Sequence, residues 1–326
     1  MAVSGTISTT TFNTRKVVDH AFRRCKIMPQ RVTAEMQGVA TDLLYLLLSE
    51  LASIKTPSWC IEKLILPFYQ GQPNVTLPVG TEEVLNANYR YLQQVTGSNT
   101  TSSTLYQVNF SSDTAVSTVG IKWTAAAVNL NFYTSADGAT WTLVGSQTTS
   151  AAAGEITWTD ITPALAYQYF KITSTSAMSY DFVYLGNTPQ EVPFGALNRD
   201  SYVAQSNQIF QSRPTTYWFQ RDRENPIMHL WPAPNEAAEE AQLIVWRHRQ
   251  IMDVGTLQEE LDIPQRWYEA IVSQLAYKLS MEIDVVDPNL MVPLSQAAAI
   301  ALNTAWTGDN DGSSIMIQPW IAPYTK

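Results

Sequence analysis

The residues able to do acid–base, metal or nucleophilic chemistry are few and scattered. The histidines are His20, His229 and His248 in a chain of 326 residues. His20 falls on a predicted short helix, and His229 and His248 fall on different predicted strands. No HExxH motif, CxxC pair or clustered Asp/His set accompanies them, so no metal or catalytic centre is legible. For His229 the simpler reading is a half-buried strand residue. Cys25 and Cys60 lie far apart without metal-ligand spacing, and read as reduced, partly buried thiols. No GxxxxGK[ST] loop and no GxGxxG turn occurs, which leaves nucleotide binding unsupported. Glu259, Glu260 and Asp262 precede a predicted helix, and Glu236, Glu239 and Glu240 sit in a predicted turn. Solvated acidic loops explain both clusters better than paired catalytic carboxylates. The expectation is a protein without catalytic residues, cofactor or metal.

Two further residue sets could bind rather than react. Trp123, Trp141 and Trp158 could stack sugars, although tryptophans at alternating strand positions more commonly fill a sandwich core. Arg213, Arg221, Arg223, Arg247, Arg249 and Arg266 form the densest basic set. Ordinary ion pairing with nearby Glu and Asp accounts for them, the alternative being a shared functional surface. The net charge is −9, from 20 basic and 29 acidic residues, and no basic block is present. That argues against tight binding of nucleic acid through phosphates.

These residues must be positioned by elements of two kinds. Between about 92 and 190 the chain is Thr/Ser-rich and nearly uncharged, with Lys122 and Lys171 as its only basic residues. Asp113, Asp137, Glu155, Asp160 and Asp181 are its only acidic ones. Period-two alternation at Val119, Ile121 and Trp123, and at Val128, Leu130 and Phe132, marks strands with one buried face. Ser135-Ala136-Asp137-Gly138 reads as a turn, and Trp141 with Leu143 as the return strand. Ile156 with Trp158, Tyr169 with Lys171 or Phe170 with Ile172, and Phe182 with Tyr184 mark three more. Short strands with frequent turns predict a β-sandwich over 92–189.

Either side of this stretch the pattern is different. A short amphipathic helix is predicted over 15–24. A longer one is predicted over 34–54, with Thr33 as its cap and Glu35 in its first turn. Tyr45 and Leu46 widen its apolar stripe, so burial on two sides is expected, within one domain or between subunits. Strands are expected at 63–68, 75–78 and 84–91. Three more, antiparallel to one another, are expected at 217–219, 227–231 and 242–247. A helix begins near Pro264, with Trp267, Ile271, Leu275 and Leu279 four apart on one face. An Ala-rich helix follows over 293–306. Residues 313–326 have no helical period, and their apolar side chains suit a docking tail.

The fold class expected is α+β: a helical body with a small antiparallel sheet, formed by 1–91 and 190–326, plus an inserted all-β, jelly-roll-like sandwich over 92–189. The greasiest run, 43–48, is far shorter than the ~20 apolar residues a membrane span needs. The N-terminus lacks the apolar core of a signal peptide. A soluble protein made in a reducing cytoplasm is expected.

The segment Arg213-Pro214-Thr215-Thr216-Tyr217-Trp218-Phe219, then Trp231-Pro232-Ala233-Pro234 and Leu261-Asp262-Ile263-Pro264-Gln265-Arg266-Trp267, resembles head-to-tail connector (adaptor) proteins of short-tailed bacteriophages. The paired N-terminal helices and the Leu77-Pro78 step extend the resemblance to the front of the chain. The resemblance implies a virion protein assembled in the host cytoplasm: a homo-oligomeric ring, usually dodecameric, at the head–tail junction. It would bind the portal protein above and tail proteins below, and DNA would pass through it in transit. It implies a portal-docking tail carrying Ile315, Ile317, Trp320, Ile321 and Tyr324. The ring interface would use Leu43, Leu47, Leu51, Trp267, Ile271 and Leu275, and Arg213, Arg221 and Arg223 would face the channel. The middle segment, through residues 130–133, 135–138, 141–142, 169–172 and 181–186, resembles discoidin-type or carbohydrate-binding-module sandwiches. That likeness implies a loop-borne glycan or other surface contact, tail fibres or spikes included. A wall-degrading enzyme would need paired carboxylates in a cleft.

Overall fold

The computed structural model describes residues 12–309 except 55–56, 126–128, 149–150, 163, 223 and 255. The chain is α+β and divides into two compact units, Met1–Ile61 with Gln250–Lys326, and Glu62–Arg249. In chain order the elements begin with α1 (Thr14–Arg24) and α2 (Ala34–Ile54). Strands follow: β1 (Ile61–Pro67), β2 (Asn74–Thr76), β3 (Thr81–Gln94), β4 (Ser98–Ser102), β5 (Leu105–Ala115), β6 (Thr118–Trp123), β7 (Leu130–Ser135) and β8 (Thr142–Gln147). Next are β9 (Ile156–Asp160), β10 (Ala166–Ser174), β11 (Tyr180–Pro193), β12 (Gly195–Ala196), α3 (Arg199–Val203) and β13 (Gln211–Ser212). The remainder is β14 (Thr216–Gln220), β15 (Ile227–Trp231), β16 (Ala233–Pro234), β17 (Gln242–Arg249), α4 (Tyr268–Glu282) and α5 (Met291–Gly308).

The first unit is helical. Asn13 caps α1 by accepting from the Lys16 amide at 3.2 Å, and Thr33 Oγ1 accepts from the Met36 amide at the start of α2. Helix α4 packs against α1, α2 and α5. Its buried residues Ala270, Ile271, Val272, Leu275, Ala276 and Leu279 encircle it, as a central helix requires. Trp267 lies edge-on to both Trp59 and Trp306, with centroids at 5.0 and 4.7 Å. Leu43, Leu47, Leu51, Trp267, Ile271 and Leu275 are all buried in this one core. These six side chains, which the family resemblance would place at a ring interface, are covered by their own chain. Tyr45 and Leu46 are 51% and 55% exposed, so within its own chain α2 is buried on one side.

The second unit is built on a six-stranded sheet of order β1-β17-β3-β11-β6-β9. The strands β3 and β11, each 14 residues, pair from Gly186 opposite Gln94 to Pro193 opposite Asn88. Strand β3 runs through position 91 and β11 through position 190, with a register shift between Asn187 and Gln190 where the two pair. The compact units divide at 61/62 and 249/250. One half of the sheet faces a five-stranded sheet, β4-β5-β10-β7-β8. Between them lies a sandwich core including Val108, Phe110, Val119, Ile121, Trp123, Phe132, Phe170 and Ile172. The other half packs on the sheet β12-β14-β15-β2 around Phe68, Tyr89, Met228, Leu230, Leu243 and Val245. Strands β14 and β15 pair antiparallel as expected. Strand β17 pairs with β3 in the large sheet, away from the group of three strands read from the sequence.

Candidate functional site

The alternation of β10 decides which side chains reach solvent. Phe170 and Ile172 are 1% exposed in the sandwich core, which turns Tyr169 and Lys171 to the outer face. Lys171 pairs across the ladder with Tyr133 on one side and Gln107 on the other. Tyr133 pairs in turn with Leu143, and Gln107 with Thr100. One row, Leu143–Tyr133–Lys171–Gln107–Thr100, therefore crosses all five strands. Tyr169, opposite Asn109 and Ser135, begins the adjoining row.

The ammonium of Lys171 lies 3.9 Å from the ring centroid of Trp141 and 5.1 Å from that of Tyr133. Such contacts stabilise by about 0.5–1 kcal/mol when exposed and more when water is excluded. Trp141 meets Tyr169 nearly edge-on at 6.5 Å. Partial burial pushes the Lys171 ammonium below the usual lysine range.

The loop between β7 and β8 positions Trp141. Asp137 accepts from the amides of Thr140 at 2.8 Å and Ala139 at 2.9 Å, and from the Ser135 hydroxyl at 2.9 Å. Those bonds, led by the Thr140 and Ala139 amides, bring its carboxyl down to about 2. Gly138 takes φ +72°, and a Cβ there would stand 3.3 Å from the Tyr169 ring. Asp137 thus organises the turn.

No protein-family model matches the chain, and no curated protein matches it. Solved structures resemble it over part of its length. The CBM32-1 module of a family 31 glycoside hydrolase from Clostridium perfringens is 10% identical, with 41% of this chain and 98% of that chain covered and a TM-score of 0.24. The family 32 CBM of NanJ from C. perfringens, solved in complex with galactose, is 11% identical, covering 41% and 97%, with a TM-score of 0.22. Chitosan-binding module 1 from the chitosanase/glucanase of Paenibacillus sp. IK-5 is 18% identical, covering 36% and 93%, with a TM-score of 0.20.

The other sequence candidates separate. Trp123 is fully buried and donates to Thr157 Oγ1 at 2.9 Å, and so belongs to the core. Trp158 packs on Gly120 and meets Tyr184 edge-on at 5.9 Å. Of the three tryptophans, only Trp141 joins the outer cluster. His229 lies flat on Trp218 at 4.7 Å, bonded to Asn74 and Gln220, and burial lowers its pKa. Arg247 and Arg249 both engage Glu62. Arg266 binds Asp309. Arg221 lies 3.5 Å from Glu83. Arg213 stacks over Tyr89 at 4.7 Å. Arg247 and Arg249 thus share one carboxylate, while Arg213, Arg221 and Arg266 each have a different partner. Arg223 lies outside the described residues, as do Ile315, Ile317, Trp320, Ile321 and Tyr324. Among the described residues no group of three or more His, Cys, Asp or Glu could hold a metal ion. No described helix is long and apolar enough to cross a membrane.

Sequence reasoning singled out Trp141 but missed Lys171 and Tyr133 as its companions. The signal was available in the Tyr169-Phe170-Lys171-Ile172 alternation, which needed only the choice of which pair faced inward.

Proposed function

We propose that the Glu62–Arg249 unit is a carbohydrate-recognition module that binds without turnover, acting through the outer face of its five-stranded sheet. The observation that carries this reading is the Tyr133–Trp141–Lys171 cluster, flanked by Gln107, Asn109 and Asn131 on the outer face. Partly exposed rings suit the C–H faces of a sugar, and the amides and ammonium suit its hydroxyls. A glycan array probed with the full chain and with Trp141→Ala tests it. Binding to a defined set of glycans, reduced at least tenfold in the variant, is expected. An array with no bound glycan contradicts the reading.

A second reading rests on the helical unit and on the sequence resemblance: a connector subunit between portal and tail of a short-tailed phage. The observation favouring it is apolar surface left open on the helices, with Tyr45, Leu46 and Ile300 all more than half exposed. A groove of about 640 Å³ also runs along α5, lined by Ala297, Ile300, Ala301 and Thr304 with Arg266 and Glu269. Helix faces of this kind suit contact with further copies in a ring, homo-oligomeric and by family resemblance dodecameric, at the head–tail junction of the virion. DNA would pass through it, and residues 313–326 would dock on the portal. Mass measurement of the purified chain with and without portal protein tests this. A ring-sized species in either sample is expected, and a monomer in both contradicts it. The two readings are compatible.

A further inference from the structure

We propose that the outer face of the five-stranded sheet selects acidic saccharides, those bearing carboxylate or sulfate, and that the Lys171 ammonium meets the anion. The inference rests on the carbohydrate reading above and specifies its ligand.

The argument begins with charge. Other partly buried cations of this unit each meet a carboxylate: Arg90 with Glu191 at 2.6 Å, Lys122 with Glu239 at 2.7 Å and Arg247 with Glu62 at 2.8 Å. Lys171 has no ion pair among the described residues. Its ladder neighbours are Tyr133 and Gln107, and Tyr169 and Thr173 follow on its own face of the strand. None of these carries a negative charge. Asp137, on the adjoining loop, directs its oxygens to Ser135, Ala139 and Thr140. The ammonium therefore stands uncompensated on a sheet face of rings and amides.

Geometry adds to this. Contact with the Trp141 and Tyr133 rings confines the flexible lysine stem, so little further freedom is lost when an anion arrives. A cation already resting on a ring leaves its outward N–H groups for a carboxylate or sulfate. The neighbouring Gln107 and Asn109 amides reach hydroxyls on the same or the next residue of a chain. A neutral sugar would use the rings and amides but leave the charge unmatched. A charge-assisted hydrogen bond distinguishes the two by about ten- to a hundredfold in affinity.

The test titrates the full chain with four probes: an oligogalacturonate, a chondroitin sulfate oligosaccharide, a neutral galacto-oligosaccharide of equal length, and a thymidine decanucleotide. Lys171→Gln, Lys171→Arg and Lys63→Gln are compared with the unaltered chain. One or both acidic saccharides should bind at least tenfold more tightly than the neutral one; because chondroitin sulfate carries carboxylates as well, only its binding without that of the oligogalacturonate assigns the anion as sulfate. Lys171→Gln should abolish that preference, Lys171→Arg should retain most of it, and Lys63→Gln should leave it intact. Equal binding of acidic and neutral saccharides overturns the inference while leaving carbohydrate binding in place. Acidic preference that survives Lys171→Gln overturns it as well. Equal affinity for the decanucleotide shows a general polyanion surface and overturns it. Failure of every saccharide to bind overturns the inference, and the glycan array then decides the carbohydrate reading. Should Lys171→Gln not fold, competition between acidic and neutral probes on the unaltered chain decides.

Discussion

The ammonium of Lys171 stands 3.9 Å above the ring of Trp141, joining the middle strand of a sheet to the loop that precedes its edge strand. Neither residue is next to the other in sequence, and β7 separates their strands in the sheet. Trp141→Ala removes the ring from both Lys171 and Tyr169. The expected outcome is a modest loss of stability, about 1 kcal/mol, with a much larger loss of carbohydrate affinity. Paired thermal-melt and binding measurements on the full chain check the ratio.

The loop that presents Trp141 is organised by Asp137. Asp137→Ala deletes an acceptor that holds the Thr140 and Ala139 amides and the Ser135 hydroxyl. Near-ultraviolet circular dichroism should lose intensity from Trp141, and binding should weaken while the global fold persists. Because this carboxyl is lowered to about 2, its ordering effect is complete above the ordinary carboxylate range. It should be lost only as pH falls through about 2.

Glu62 joins β1 to β17 through Arg247 and Arg249, whose side chains are largely buried. Burial raises the Glu62 pKa, but hydrogen bonds and charge from both guanidinium groups outweigh it and the net shift is downward from 4.5. The folded state thus binds its proton less readily than the unfolded chain. Its contribution to stability is present above the ordinary glutamate range and is lost as pH falls through the lowered value. Glu62→Gln should cost about 2 kcal/mol at neutral pH and flatten that acid dependence, as read by denaturant titration.

Gly120 sits in β6 directly beneath Trp158, and an added Cβ would lie 2.4 Å from the indole ring. Gly120→Ala must displace that ring from its edge contact with Tyr184. A loss of about 1–3 kcal/mol is expected in chemical denaturation. Gly154→Ala meets no neighbouring atom but has φ +88°, and so serves as a control for backbone strain alone.

Ile300 is 68% exposed and lines the groove on α5. If the helical unit assembles with other copies, Ile300→Asp should leave the melting temperature nearly unchanged while shifting the assembled species to lower mass in light scattering. Unchanged mass would place the contact elsewhere.

Much of this architecture was legible before the structure. The 3.6-residue spacing of Leu43, Leu47 and Leu51 and of Ile271, Leu275 and Leu279 gave the helices, because burial repeats with the turn. Period-two alternation gave β6, β7 and β10. Long-range pairing was not legible. Nothing local in Gln242–Arg249 tells that this strand inserts between β1 and β3 instead of joining β15. Nor does the sparse charge of 92–189 reveal that β3 and β11 carry one sheet through both halves of the unit. The same limit hid the Lys171–Trp141–Tyr133 cluster, since Lys171 and Trp141 meet only through the register of β7 against β10.

The measurement that bears most directly on carbohydrate recognition is hydroxyl-radical footprinting of the full chain with and without the saccharide that it binds best. Protection confined to Trp141, Tyr133 and Tyr169, with Trp246 and Trp218 unaltered as internal references, is the expected result. Protection at other surfaces, or none at Trp141 under saturating saccharide, would contradict the assignment of this face.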